Sequence, residues 1–192
     1  MNRHLPAMVR EARRRGLHVL FNSNLVLLRE ALAEDLIAAD LNEIRVSMDS
    51  ATPATYATIR GIAKLPQVLK NIRLMLRTKE RLGAANPHVS MWFVAMRENI
   101  DELPAFVELA ADLGVAEVHV QRMTFLLDGH PDGYLAVQDQ SLYRAESERQ
   151  DAAVARAEAR AAALGVTLSG AGETDPATTV HPDEIDRRPW SN

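Results

Sequence analysis

Five polar side chains close or follow short apolar runs, where they could bind a polar ligand together. Asn22 and Asn24 end the first run, Ser47 and Asp49 close a second, and Gln121 closes another. Ligands of α/β proteins bind at the carboxyl ends of parallel strands. A polar group that is buried without a partner costs about 1 to 3 kcal/mol, so several on one face need partners or a ligand. The spacing therefore predicts a binding site at this edge of a sheet.

The run from Glu43 to Asp49 alternates strictly between polar and apolar residues. A parallel strand that is covered on both faces would be apolar throughout. Two alternatives to a ligand site stay open. The sheet could be antiparallel with one wet face, or mid-strand charges could satisfy one another, as Arg45 could with Glu43 or Glu117. We favour such pairing for Arg45, and a ligand for Ser47 and Asp49.

The chain contains no cysteine. Thiolate catalysis, disulfides and iron–sulfur ligation by this chain alone are therefore excluded. Its 6 histidines lack the i, i+4 spacing of a helical zinc pair, so we expect no metal site. His119 lies on the polar side of its strand, and pairing with a neighbouring carboxylate is the favoured interpretation. Trp92, Phe93 and Phe125 are interpreted as core residues.

Length and composition are those of an ordinary globular protein. The 192 residues, 47% of them hydrophobic and 25% charged, are enough for one domain or slightly more at about 150 residues per domain. The net charge of −4 favours neither a nucleic acid nor a membrane surface as a partner. No apolar stretch reaches the roughly 18 residues of a membrane span. We expect a cytoplasmic protein.

Helical and strand periods alternate along the chain. The predicted helices are Leu5 to Arg15, Arg29 to Ala39, one that starts at Thr52 and Pro53, Leu65 to Leu82, Asp101 to Leu113 and about Gln140 to Leu164. The predicted strands are Leu17 to Phe21, Glu43 to Asp49, His88 to Ala95 and Glu117 to Gln121. Strand followed by helix, with short loops, predicts right-handed crossovers and a parallel sheet, and hence an α/β fold.

Four segments carry a resemblance to a known family. They are Leu17 to Leu28, the block Ile44-Arg-Val-Ser-Met-Asp49 with its continuation to Ile59-Arg-Gly61, Phe93 to Leu103, and Val118 to Met123. Together they resemble the radical S-adenosylmethionine (radical SAM) enzymes, and more narrowly those with a C-terminal SPASM auxiliary-cluster domain. The resemblance covers roughly Leu5 to Phe125, and the Ser-x-Asp block is its most specific part. It implies a partial (β/α) barrel made of the last four of the family's six β/α units.

The resemblance also implies that motifs of the family lie outside this chain. The family's Cys-x-x-x-Cys-x-x-Cys loop, which holds a 4Fe-4S cluster, and its Gly-Gly-Glu-Pro motif are absent. The start, Asn2 to Val9, is similar to the stretch after that second motif, and the end, Arg187 to Asn192, is similar to the approach to the auxiliary domain. We therefore expect a chain truncated at both ends. Its predicted parts are residues 1–125 as the partial barrel, 126–168 as a loop and an Ala-rich helix, and 169–192 as a linker.

Matched to the family position by position, the cofactor-binding residues implied by the resemblance are Asn24, Ser47, Asp49, Arg60 and Gln121. Ser47 matches a serine that contacts the ribose or methionyl part of S-adenosylmethionine, and Arg60 matches an arginine that pairs with its carboxylate, to which a guanidinium is suited. Leu25 stands where the family has a glycine, which is a departure.

Two functions follow as hypotheses. The first is a fragment of a radical SAM enzyme whose parent cleaves S-adenosylmethionine reductively with a 4Fe-4S cluster and modifies a substrate, with peptides or proteins typical of the SPASM subgroup. Alone, such a fragment is expected to be inactive. The second is a non-catalytic α/β binding module that has lost its cluster. The missing cysteines favour the second hypothesis for this polypeptide, whereas Ser47, Asp49 and Arg60 favour the first for its parent.

Overall fold

Helices and strands alternate in the computed structural model, which describes residues 2–122 and 147–170. The helices are α1 (Leu5–Arg14), α2 (Glu30–Ala38), α3 (Pro53–Arg60), α4 (Leu65–Arg81), α5 (Leu103–Leu113) and α6 (Ser147–Leu164), and a 3-10 turn at Ile100–Glu102 precedes α5. The strands are β1 (Leu20–Ser23), β2 (Glu43–Ser47), β3 (His88–Ala95), β4 (Glu117–Arg122) and β5 (Thr167–Ser169).

The strands form one parallel sheet in the order β1-β2-β3-β4-β5. At least one helix separates each strand from the next along the chain, because parallel neighbours need a crossover rather than a hairpin. The predicted α/β class and parallel sheet are thus confirmed, and the sequential order is consistent with a partial β/α fold. That the fold is a radical SAM barrel stays a prediction.

The two faces of the sheet differ in the way that the alternating residues predict. Ile44, Val46, Phe93 and Val118 point to one face and are fully buried, each with 0% of its surface exposed. They belong to the main hydrophobic cluster, which also contains the buried faces of the helices. Burial of this apolar surface, at roughly 25 cal/mol per Å², holds the helices to that face. The polar side chains point to the opposite face, where Glu43, Arg45 and Ser47 of β2 are only partly buried.

The first strand begins later than predicted. The backbone N–H of Leu17 donates to Ala12 O at 3.1 Å, so Leu17 closes the turn that ends α1 and is not part of a strand. Pairing with β2 starts where Val19 O accepts from the Asn42 and Glu43 N–H groups and Val19 N donates to the Asn42 side chain. The strand predicted at Leu17 to Phe21 therefore lies at Leu20–Ser23 instead. The apolar run begins in the turn that ends α1, so hydrophobicity alone does not mark where the strand starts.

Strand β5 has no counterpart in the sequence prediction. Three residues are too few for an alternating pattern, and Thr167–Ser169 is recognised only by its pairing with Glu117, Val118 and His119 of β4. Helix α6 confirms the Ala-rich helix from Ser147 onward, whereas residues 140–146 lie outside the described residues. The division at residues 125 and 168 stays a prediction. Among the described helices, none has the length and apolar character that crossing a bilayer requires.

Candidate functional site

Asp49 is the centre of the candidate site, just beyond the end of β2. It is 4% exposed and adopts a left-handed conformation with φ of 65°. Its Oδ1 accepts from the Val94 N–H at 2.8 Å, and its Oδ2 lies 2.5 Å from Nη2 of Arg60. The loop after β2, the end of β3 and the last turn of α3 therefore meet at one carboxylate.

Burial raises the pKa of Asp49 above its usual value, because removal from water disfavours the charged form. The Val94 N–H and the Arg60 guanidinium act in the opposite direction by stabilising the carboxylate. Arg60 is itself largely covered, with 27% of its side chain exposed. A partly exposed guanidinium held by a buried carboxylate is a preformed site for a second anionic group.

Tyr56 joins Asp49 and Arg60 at this corner. It lies one helical turn before Arg60, so the two side chains share a face of α3, and it is 0% exposed. Burial raises the pKa of Tyr56; the positive charge of Arg60 opposes this change, and the negative charge of Asp49 adds to it. Within the part of the chain that the structure describes, the Tyr56 hydroxyl and Arg60 Nε are buried polar atoms without a hydrogen-bond partner.

Asn99 ties the Asp49 backbone to the end of β3. Its Nδ2 donates to Asp49 O at 2.8 Å and to Val94 O at 2.9 Å, and its Oδ1 accepts from the Met96 N–H at 2.7 Å. The side chain is fully buried and uses both its donor and its acceptor groups.

Sequence reasoning missed three residues of this corner, namely Tyr56, Asn99 and Glu102, whose Oε2 accepts from the Ala51 N–H at 2.9 Å. The positions of Asn99 and Glu102 in the connection after β3 are one signal that could have indicated a role at the site. The helical spacing of Tyr56 and Arg60 is the other, because it places both side chains on one face of α3.

The other sequence-predicted residues lie apart from this corner. Ser47 points to the polar face of the sheet, in register with Trp92, and its hydroxyl has no hydrogen bond among the described residues. Asn24 is exposed, and its Oδ1 accepts from the Val26 N–H at 3.2 Å in the loop after β1. Gln121 is exposed and in register with Val94. Of the five predicted residues, Asp49 and Arg60 are thus in direct contact. Asn24, Ser47 and Gln121 lie near the carboxyl ends of β1, β2 and β4, at the same edge of the sheet.

Leu25 adopts a conformation that suits the glycine found at its place in the resemblance. Its φ is 52°, in the left-handed region, and its side chain is 1% exposed. The Ser23 hydroxyl accepts from the Leu25 N–H at 3.0 Å, and Asn71 Nδ2 donates to Leu25 O at 2.6 Å. These contacts and the buried side chain offset a strain of about 1 to 2 kcal/mol.

A row of planar side chains crosses the polar face of the sheet below Ser47. The guanidinium of Arg45 lies 4.6 Å from the centre of the Trp92 ring, and the Trp92 and His119 rings are 4.0 Å apart. Arg45 Nε donates to Glu43 Oε1 at 2.7 Å. The predicted mutual pairing of Arg45 with Glu43 is therefore confirmed.

Two interpretations of single residues need correction. His119 Nδ1 lies 2.9 Å from the Ser169 hydroxyl rather than pairing with a carboxylate, and burial lowers its pKa, opposed by Glu117. Trp92 is half-buried on the polar face and not in the core, whereas Phe93 is buried with its ring 4.9 Å from that of Phe106. The alternation along β3 would have separated Trp92 from Phe93. Phe125 lies outside the described residues.

The resemblance implies two bound groups, a 4Fe-4S cluster and S-adenosylmethionine, and the residues of this chain fit only the second. Iron–sulfur clusters are held by cysteine thiolates, and the chain has none, so its own donors do not fit a four-iron cluster. Among the described residues, no group of three or more His, Asp or Glu side chains is arranged to hold a metal ion. S-adenosylmethionine fits better, because the Ser47 hydroxyl and the partly exposed Arg60 guanidinium suit its ribose hydroxyls and carboxylate.

Comparison with known proteins finds distant homologues of this α/β chain in the radical SAM family. Probable GTP 3',8-cyclases from Saccharolobus islandicus (strain Y.N.15.51 / Yellowstone #2) and Saccharolobus solfataricus are 31% and 30% identical over 134 residues. A tungsten-containing aldehyde ferredoxin oxidoreductase cofactor-modifying protein from Pyrococcus furiosus is 24% identical over 116 residues, which are 60% of this chain and 33% of the relative. No protein-family model matches the chain.

The similarity to the cyclases covers 69% of this chain and 39% of each of these two relatives. The chain therefore spans about two fifths of the length of these curated relatives. The predicted similarity to radical SAM proteins is confirmed at the level of distant homology, and the SPASM subgroup stays a prediction.

Proposed function

We propose that the chain is a fragment of a radical SAM enzyme, containing the last four of the six β/α units of its barrel, and that it contributes to the S-adenosylmethionine site. The observation that carries the proposal is the contact between Arg60 and Asp49 at the carboxyl ends of β2 and β3, within a chain whose relatives are radical SAM proteins. Asn24, Ser47 and Gln121 lie at the same edge of the sheet and complete the proposed cofactor-binding set.

Each residue has a chemical role in this proposal. Arg60 donates to the carboxylate of S-adenosylmethionine, and Asp49 holds the guanidinium in place by its own ion pair. The Ser47 hydroxyl bonds to a ribose or methionyl oxygen, the amide of Gln121 borders the adenosine side, and Asn24 contributes its amide from the loop after β1. When bound with a reduced 4Fe-4S cluster, S-adenosylmethionine supplies radical chemistry; the cluster's cysteines would come from outside these 192 residues.

The substrate of the parent is a further part of the proposal. Peptide or protein substrates would follow from the SPASM subgroup, whereas the names of the cyclases favour a guanine nucleotide. A cytoplasmic location, and a parent that extends beyond both ends of this chain, are also proposed.

Binding of S-adenosylmethionine to the chain tests the proposal. We expect a titration followed by amide NMR to shift the signals of Ser47, Asp49 and Arg60, and Arg60→Ala to weaken affinity by about tenfold or more, since hydrogen bonds to charged groups are worth about 1.5 to 3 kcal/mol. Arg73→Ala, which removes an exposed arginine of α4, is the matched control. Unchanged affinity in Arg60→Ala would remove that residue from the site.

The second candidate function is a non-catalytic binding module, favoured by the absence of cysteine. The DNA directly upstream separates the two. An in-frame Cys-x-x-x-Cys-x-x-Cys sequence supports the enzyme, whereas a stop codon immediately before the first codon supports the module.

A further inference from the structure

Glu102 lies in the turn before α5, yet its carboxylate bonds to the connection that follows the neighbouring strand β2. Its Oε2 accepts from the Ser50 hydroxyl at 2.8 Å, from the Ala51 N–H at 2.9 Å and from the Thr52 N–H at 3.2 Å. Its Oε1 accepts from the Thr52 hydroxyl at 2.9 Å. Burial alone would raise the pKa of Glu102, but hydrogen bonds from this connection and from the first turn of α3 lower it overall. The ionised carboxylate therefore gathers several donors at the start of α3.

The connection that Glu102 holds begins at Asp49, which is strained. A residue other than glycine in the left-handed region persists only where the surrounding structure over-determines it. Asn99 supplies part of that constraint, because its Nδ2 donates to Asp49 O. Glu102, three residues further along the chain, constrains the residues that follow Asp49. Asn99 and Glu102 thus belong to one segment after β3 and act on one segment after β2.

We infer that Asn99 and Glu102 are positioning residues of the candidate site. They fix the backbone from Asp49 to Thr52, so that the Asp49 carboxylate and the Arg60 guanidinium are held ready for a ligand. Neither side chain is proposed to touch the ligand. As a statement about S-adenosylmethionine the inference rests on the proposed function, whereas the ordering of the connection can be measured without any ligand.

If Glu102 only stabilised the fold, its replacement would mainly lower overall stability. If it positions the connection after β2, its replacement would mainly loosen that connection. Its hydrogen bonds reach the connection after β2 and the start of α3, and not the apolar core. Loss of the charge should therefore loosen this connection more than it lowers overall stability. Glu108 of α5 offers a control, because it is also a glutamate whose carboxylate accepts a side-chain hydrogen bond, from Arg160 Nε to its Oε1 at 2.6 Å, but this partner lies on α6 rather than beside Asp49.

The experiment compares the chain with its Glu102→Gln and Glu108→Gln variants. We expect Glu102→Gln to speed hydrogen exchange at the Ala51 and Thr52 amides by about tenfold, because a charged acceptor is replaced by a weaker neutral one. We also expect it to weaken S-adenosylmethionine binding by about three- to tenfold, with a urea midpoint close to that of Glu108→Gln. The control should leave both exchange and affinity unchanged.

Each outcome decides one of the two ideas. If the unaltered chain does not bind S-adenosylmethionine, the proposed function fails. The positioning role then stands if exchange at Ala51 and Thr52 accelerates only in Glu102→Gln, and falls if it does not. If the unaltered chain binds and Glu102→Gln binds equally well, the proposed function stands and the positioning role is overturned. A Glu102→Asp variant that partly restores slow exchange would support a geometric requirement for the carboxylate.

Discussion

Removal of Arg60 should expose how much of the fold depends on its ion pair with Asp49. Asp49 is 4% exposed, so in Arg60→Ala its carboxylate loses its counter-ion while still out of water. Breaking a fully buried pair costs about 3 to 5 kcal/mol. Because 27% of the Arg60 side chain is exposed, solvent screens part of the interaction, and we expect a loss of about 2 to 3 kcal/mol at neutral pH.

The matching change, Asp49→Asn, should cost less. Its amide oxygen can still accept from the Val94 N–H, so the link to β3 remains and only the charge is lost. We expect a change of less than about 1 kcal/mol for this variant, because removal of a buried charge offsets loss of the ion pair, and a double variant that is less destabilised than the sum of the two. Urea unfolding of the four proteins measures this coupling. Additivity within about 0.5 kcal/mol would show that the ion pair does not stabilise the fold.

The pH dependence of the same variants gives an independent test. The pKa of Asp49 is raised in the folded protein, so its protonation favours folding at acid pH, and this contribution is lost as the pH rises through the folded pKa. Without Arg60 that pKa should rise further. The deficit of Arg60→Ala relative to the unaltered chain should therefore shrink as the pH falls, and Asp49→Asn should not show this trend. A deficit that is constant with pH would contradict the assignment.

Three further predictions concern other parts of the chain. A Cβ at Gly170 would lie 2.5 Å from Val120 O, whereas at Gly165 it would meet nothing within 4 Å, and both have a left-handed φ. Gly170→Ala should therefore destabilise by about 1 kcal/mol or more beyond Gly165→Ala in thermal melts. Leu25→Gly should be about 1 kcal/mol more stable than Leu25→Ala, because only glycine is unstrained at the left-handed φ of 52° at this position. The reverse order of stability would show that the backbone at Leu25 is not strained. Anaerobic reconstitution should load no iron–sulfur cluster on this cysteine-free chain, and stoichiometric iron and sulfide would overturn that.

Local patterns predicted most of the elements and part of the site. The alternation in Glu43–Ser47 identified both the strand and its two faces, because a strand's side chains point to opposite sides in turn. Helix α4 was predicted within one residue, since 17 residues allow several turns of the apolar period to be counted. The same reasoning misplaced β1 and missed β5, whose three residues are too few to show a period.

The candidate site shows where this reasoning ends. Asp49 and Arg60 were selected separately as ligand contacts, and their contact with each other depends on how the last turn of α3 returns over the end of β2. Asn99 and Glu102 are separated from Asp49 by about fifty residues of sequence, and only the pairing of β2 with β3 brings them beside it.

The amino-acid sequence by itself determined the α/β class, the polar and apolar faces of the strands, and the absence of thiolate ligands. These are properties of composition and local period, which a single chain carries before it folds. The tertiary structure alone decided which polar groups satisfy each other. Side-chain hydrogen bonds and ion pairs act over about 3 to 4 Å, so a partner such as Arg60 for Asp49, or Ser169 for His119, is chosen by strand register and helix packing rather than by distance along the chain.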